Sequence, residues 1–179
     1  MRYCLLMNDW PTAQPLDTTR LHLEPLNVAH AQEMSHVLAD TSLYQYIGGA
    51  PPTLQLLSER YTRQSLGHSS DGEQGWLNWI VRRQDTAEAI GFIQATLLGS
   101  HESLSSEIAW VIGSQHQGNG YATEASNRMV DWLHVQGVST LIAHIHPKNQ
   151  ASAAVAHKLG LRATETIVDD EICWEASLP

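Results

Sequence analysis

Residues 107–125 read Glu-Ile-Ala-Trp-Val-Ile-Gly-Ser-Gln-His-Gln-Gly-Asn-Gly-Tyr-Ala-Thr-Glu-Ala. Ile108, Trp110 and Ile112 recur at every second position, the period of a strand. Residues 113–120 lose that period and gather glycine, which reads as a loop. From Tyr121 the period lengthens. Ala122, Ala125, Met129, Trp132 and Leu133 form one stripe of an amphipathic helix reaching Gln136, and Gly137 supplies a left-handed stop. A buried apolar strand is predicted next, over 140–146. Two strands joined through a crossover helix must lie parallel. This unit therefore places one parallel pair, the 105–112 and 140–146 strands, at the heart of the fold.

Working outward, residues 20–26 alternate apolar with polar and predict a first strand. Asn27 caps a helix to about Asp40, with Val28, Ala31, Met34 and Leu38 on one face. A turn cluster occupies 47–52. A second helix, with Thr53 as its N-cap, runs from 53 to 66. Residues 67–75 form a loop. Strands at 76–82 and 89–98 pair antiparallel about a polar turn at 84–86. After the parallel unit comes a helix over 149–159, closed by Gly160, and an antiparallel pair at 161–168 and 171–175. The order β-α-α-β-β-β-α-β-α-β-β predicts an α/β chain of the α+β kind. Its central sheet is mixed and mostly antiparallel, with helices on both faces. Residues 1–17 read as a lead-in and 18–179 as one domain.

Composition narrows the partners. Ten Lys and Arg face nineteen Asp and Glu, a net charge of −9. Such a chain is not expected to hold nucleic acid by counterion release or an anionic membrane by a basic patch. Cationic or neutral partners are favoured. Cys4 and Cys173 are too isolated for a disulfide framework. No apolar run approaches the ~18 residues of a membrane span. The run at 3–7 is shorter than the roughly 7–15 residues of a signal-peptide core. A cytoplasmic location is expected.

The loop carries the chemistry. Gln115-x-x-Gly118-x-Gly120 opens straight into a helix. Glycine admits backbone angles closed to other residues and leaves no Cβ in a ligand's way. The first helical turn presents unpaired N–H groups and the positive end of the dipole. Together they suit a pyrophosphate, held by backbone rather than by lysine. The alternative is a glycine turn that only starts a structural helix. Neither Gly-x-Gly-x-x-Gly nor the Gly-Lys-Ser/Thr ending of a P-loop is present.

These residues are followed by Pro147-Lys-Asn149-Gln-Ala-Ser152 and by Leu159-Gly160-Leu161. Together they resemble the GNAT superfamily of acetyl-CoA-dependent N-acetyltransferases, most closely its RimJ/RimL-like branch. Thr19-Arg20-Leu21-His22-Leu23-Glu24-Pro25-Leu26 is similar to that branch's opening. The resemblance spans about residues 18–175. It implies a splayed parallel pair whose gap receives the pantetheine of acetyl-CoA beside Trp110, Val111 and Ile112. The pyrophosphate would lie on the backbone of 115–122, including Gln115, Gln117, Gly118, Asn119, Gly120, Tyr121 and Ala122. Asn149 and Ser152 would also touch the cofactor, although Asn149 suits a helix N-cap equally.

The resemblance further implies direct attack of an amine on the thioester. His144 stands where some relatives carry a glutamate base. An imidazole is a reasonable proton acceptor near neutral pH. Its alternative is a structural strand histidine. Glu107 is the second base candidate, or else a solvated edge carboxylate. Ala156 replaces a tyrosine acid of some relatives. The resemblance implies instead that Ser152 matches the serine RimL-like members offer near the departing sulfur, its alternative being an ordinary first-turn helix serine. His146 projects with His144, but no third ligand completes a metal site, and none is expected. Neither cysteine lies in a cofactor motif.

Tyr44, Tyr46, Trp76, Trp79, Asp169, Asp170, Glu171 and Trp174 fall in segments that contact substrate in this family. They suggest an aromatic, carboxylate-lined pocket for a small cationic aminosugar of aminoglycoside-antibiotic type, a resistance or detoxification activity. The alternative is that the tryptophans are core and the acids a solvated face. Acetylation of a (ribosomal) protein amino terminus and a non-catalytic acetyl-CoA sensor are the other functional readings. Pairing into a homodimer would be in keeping with relatives.

Overall fold

Alternating apolar residues build an eight-stranded sheet in the computed structural model, which describes residues 10–100 and 103–179. Cys4 and the apolar run at 3–7 lie outside the described residues. The strands are β1 (Leu16–Asp17), β2 (Leu21–Pro25), β3 (Gly75–Arg83), β4 (Ala89–Ser100), β5 (Ser103–Ile112), β6 (Val138–Ile145), β7 (Arg162–Val168) and β8 (Glu171–Ser177). The helices are α1 (Ala31–Val37), α2 (Tyr44–Ile47), α3 (Leu54–Gln64), α4 (Tyr121–Val135) and α5 (Gln150–Lys158). The sheet order is β1-β2-β3-β4-β5-β6-β8-β7. Every neighbouring pair is antiparallel except β5 and β6, the parallel pair that the crossover helix requires.

Each face of the sheet has its own core. Leu77, Val81, Ile93, Ile108, Leu141 and Ala143 meet Met129, Leu133 and Ala156 of α4 and α5. On the other face Ile80 and the partly buried Phe92 and Val111 meet Met34, Leu57 and Tyr61 of α1 and α3. Trp79 belongs to the first core. It has 0% exposure, and its ring packs edge-on to Trp132 at 5.6 Å. Its indole N–H donates to the Gln14 carbonyl at 2.7 Å. Trp79 is therefore buried in the core, although it also lines a small cavity of about 40 Å³.

The differences from the sequence reading are local. Val28 does not share the buried face of Ala31 and Met34. Residues 28–30 form a 3-10 turn fixed by a reciprocal Asn27–His30 capping box, and Val28 is left 49% exposed. The first helix stops at Val37, and Asp40 caps a further turn by accepting from the Ser42 N–H at 2.9 Å. The four-residue α2 follows, just ahead of the expected turn cluster. The lead-in also joins the sheet. Leu16 and Asp17 pair with Leu23 and His22, and Trp10 donates to the Gly72 carbonyl at 3.0 Å.

Candidate active site

β5 and β6 run together for only a few residues. Leu104 to Glu107 pair with Val138 to Ile142, and there the parallel ladder ends. β5 continues to Ile112 on β4 alone, and β6 continues to Ile145 on β8 alone. Backbone polar groups of a strand point alternately to either side. Those of 108–112 and 143–145 that face the parting thus have no strand partner. Backbone donors and acceptors are costly to leave unmatched.

A cavity of about 500 Å³ opens beside the parted end of β5, against the starts of α4 and α5, and neither Glu107 nor any residue of β6 lines it. Trp110, Val111, Ile112, Gln117, Gly118, Gly120, Tyr121, Ala122, Asn149 and Ser152 line it, joined by Tyr46 and Lys158. The expected cofactor contacts are thereby brought together, except for two side chains. Gln115 faces a separate hollow with His36 and Glu88. Asn119 folds back to donate to the His116 and Gln117 carbonyls at 3.0 and 3.1 Å.

The N-terminus of α4 opens on this cavity. Gly118 and Gly120 have φ of 76° and 78°, left-handed values that favour glycine. Thr53 and Asn149 cap α3 and α5 with their side chains, but α4 has no side-chain cap. A Cβ at Gly118 would meet nothing within 4 Å. The first-turn N–H groups of a long helix thus remain free for an anion, and the glycines clear its path.

Sequence reasoning missed what holds this loop. Glu124, in the first turn of α4, accepts from the Thr18 hydroxyl at 2.7 Å and from the Arg20 backbone N–H at 3.0 Å. It also binds the Arg20 guanidinium through Nε at 2.7 Å. Arg20 in turn donates to the Asn119 carbonyl at 3.1 Å and lies 4.6 Å over the Tyr121 ring. Burial pushes the Glu124 carboxyl up, but the hydrogen bonds from Thr18 and Arg20 outweigh it and hold it below the usual range. An acid in the first turn of a glycine-started helix is the only sequence signal of this clamp.

Glu107 occupies the last parallel rung, opposite Ile142 on β6 and Thr96 on β4. His144 lies just beyond that rung, opposite Cys173 of β8. Leu141, Ala143 and Ile145 face α4 and α5, so strand alternation turns His144 to the face that Glu107 shares. The half-buried His144 has a buried Nδ1 without a hydrogen-bond partner among the described residues. His146 projects to the same side but is engaged. Its ring stacks on Tyr46 at 5.4 Å, and its Nδ1 accepts from the Lys148 N–H at 3.1 Å. Among the described residues no group of three His, Cys, Asp or Glu could hold a metal ion. Cys173 is buried, and burial together with Glu175, whose carboxylate is 3.6 Å from the sulfur, pushes its thiol up. That leaves a protonated, poorly nucleophilic sulfur.

Asn149 is an N-cap, its side-chain oxygen accepting from the Ser152 N–H at 3.1 Å, and both residues line the cavity. Ala156 has 0% exposure and faces the core, so it offers no proton. The expected acceptor residues scatter. Tyr46 lines the cavity. Tyr44 packs on the α1–α3 core and donates to the Leu38 carbonyl at 2.9 Å. Trp174 stands opposite Ala143 and packs against the α4–α5 core, away from His144. Asp169 and Asp170 form the β7–β8 turn at φ of 50° and 66°. Neither they nor Glu171, at the start of β8, line the cavity. Trp76 lines a different hollow of about 170 Å³, with Arg60, Arg63, Gln64, Asn78, Gln94 and Thr96.

Residues 20–162 match the family described as the acetyltransferase (GNAT) domain. The chain is 27% identical over 150 residues to the uncharacterized N-acetyltransferase YjdG of Bacillus subtilis, covering 81% of this chain and 88% of that one. Its fold is similar to that of RimL, a ribosomal L7/L12 alpha-N-protein acetyltransferase solved with coenzyme A. The TM-score is 0.77 at 14% identity, over 92% of this chain and 98% of that one. It is also similar to the aminoglycoside acetyltransferase AAC(6')-Ib solved with coenzyme A. Here the TM-score is 0.72 at 18% identity, over 88% and 94% of the two chains. No helix among the described residues is long and apolar enough to cross a membrane.

Proposed function

The chain belongs to the GNAT family of N-acetyltransferases, of the RimJ/RimL type, and on that footing we propose that it moves the acetyl group of acetyl-CoA to a primary amine by direct attack. The observation that carries this reading is the β5–β6 parting, which runs into an uncapped helix start preceded by two left-handed glycines. A bound acetyl-CoA supplies an acyl thioester. The residues present fit it. First-turn N–H groups of α4 suit its pyrophosphate, and strand groups of 108–111 that face the parting suit its amide-bearing arm, whereas the Ile112 carbonyl already accepts from Gln117 Nε2 at 2.9 Å.

The remaining work belongs to side chains. His144, whose buried Nδ1 has no hydrogen-bond partner among the described residues, takes the proton of the incoming ammonium on its imidazole, and Glu107 flanks the same approach. Strand N–H groups at the parting donate to the carbonyl as negative charge grows on its oxygen. Ser152, at the first turn of α5, donates to the departing sulfur. The buried Cys173 forms no acyl bond in this scheme.

RimL and AAC(6')-Ib act on different kinds of amine, so the fold leaves the acceptor open. The acids and two of the tryptophans expected to enclose a cationic aminosugar lie at a hairpin tip or in the core. Purified protein, acetyl-CoA and a panel of amines decide the reading. Thiol release that requires an amine, and that falls about 100-fold or more in His144→Ala at unchanged coenzyme A affinity, is expected. Coenzyme A binding without release across the panel would make the domain a sensor.

A further inference from the structure

We propose that the acceptor carries a carboxylate beside its amine, and that this carboxylate binds in the hollow between α3 and strands β3 and β4. The proposal rests on the acetyl-transfer reading above and names the substrate class of that site.

The hollow lies on the sheet face that bears Glu107 and His144. Its floor is a row of register partners. Asn78 pairs with Gln94, and the next pair along the same face is Trp76 with Thr96. Thr96 in turn stands opposite Glu107. Adjacent strands are about 4.8 Å apart, so β3 lies roughly 10 Å from β5. A ligand whose amine reaches Glu107 and His144 can rest its other end under α3.

That end meets hydrogen-bond donors. Arg60 and Arg63, three residues apart on one side of α3, overhang the hollow. Neither is in an ion pair among the described residues, whereas Arg20, Arg82 and Arg83 each bind a carboxylate. A smaller cavity of about 40 Å³ adjoins it, sharing Arg60, Gln64, Asn78 and Gln94. Tyr61 walls this second cavity. It is 4% exposed, and its buried hydroxyl has no hydrogen-bond partner among the described residues. Burial pushes the Tyr61 phenol up, which keeps it a donor. No Asp or Glu lines either cavity. Guanidinium groups donate and never accept, and the carboxylate is their acceptor-only complement. A polycationic aminosugar would set its own charges against both arginines.

The spacing favours a carboxylate within about 10 Å of the amine. A free acidic amino acid and the amino terminus of a short acidic peptide share that chemistry. The test compares glutamate, peptides with an acidic residue near the amino terminus, the matching amides and an aminosugar. Expected is a kcat/KM at least tenfold higher for the carboxylate forms than for their amides. Arg60→Gln with Arg63→Gln should raise KM for the carboxylates about tenfold and leave the amides unchanged. Preference for free glutamate or for the peptides identifies the source. Equal turnover of carboxylates and amides, an unchanged KM in the double variant, or preference for the aminosugar would overturn the proposal while leaving acetyl transfer intact. Absence of turnover with every amine would overturn the acetyl-transfer reading instead. Calorimetry with the acetylated products and coenzyme A tests the hollow without catalysis. Acetylated glutamate or peptide should bind the native protein, and at least tenfold more weakly the double variant. Equal binding to both would overturn the proposal on its own.

Discussion

Glu124 shows how one residue holds a glycine loop that it never enters. Its carboxylate joins Thr18 and Arg20 to the start of α4, and Arg20 carries the connection on to Asn119. Glu124→Gln should cost about 2 kcal/mol of stability, the scale of hydrogen bonds to a charged group, and weaken coenzyme A binding. The carboxyl titrates below its ordinary value. Its contribution is therefore fully present above the unfolded pKa, roughly 4.3, and is lost as pH falls through the lower folded value. Denaturant melts of both proteins across pH 3–7 should show a gap that closes on the acid side. An equal gap at all pH values would show that the charge does not matter. Gly118 and Gly120 could be read from sequence because a left-handed backbone angle is a property of a single residue. The clamp could not, since Glu124 and Arg20 are brought together only by the folded chain.

At the scale of elements, the parting depends on how straight β5 is held against β4. Gly91 faces Ile112 across that ladder, and a Cβ there would lie 2.1 Å from the Val111 carbonyl oxygen. Gly91→Ala must therefore push β5 aside at the residues that line the cavity. A loss of about 1–3 kcal/mol, the range for overpacking, should come with weaker coenzyme A binding. A stable variant with native affinity would mean that β5 adjusts freely. Most elements were legible because their periods are long. The 15 residues of α4 follow the stripe Ala122, Ala125, Met129 and Leu133 read from the sequence. α2 was not, because four residues hold little more than one turn and show no period. Val28 was misplaced because an Asn27–His30 box turns the chain before α1 begins.

For the whole molecule, the sequence could not assign faces. Alternation says that Trp79 and Ile80 point oppositely but not which one meets which helix. That is decided by the register of all eight strands. Trp79 fell to the α4–α5 core, and Trp79→Ala should cost about 3–5 kcal/mol. The acceptor KM should stay unchanged in whatever fraction remains folded. A selective rise in KM without loss of stability would return Trp79 to the substrate. Net charge is likewise a whole-chain quantity that conceals its exceptions, as Arg60 and Arg63 demonstrate. An acetyl donor bound as proposed, along the unjoined ends of β5 and β6, would also tie the protein's lifetime to the supply of that donor. A ligand that completes those strands adds stability by mass action, about 2.7 kcal/mol at a hundred times its Kd. Protease attack on transiently opened chains should slow in step with added coenzyme A. In a cell short of acetyl-CoA, the protein would be cleared fastest when it has least to do.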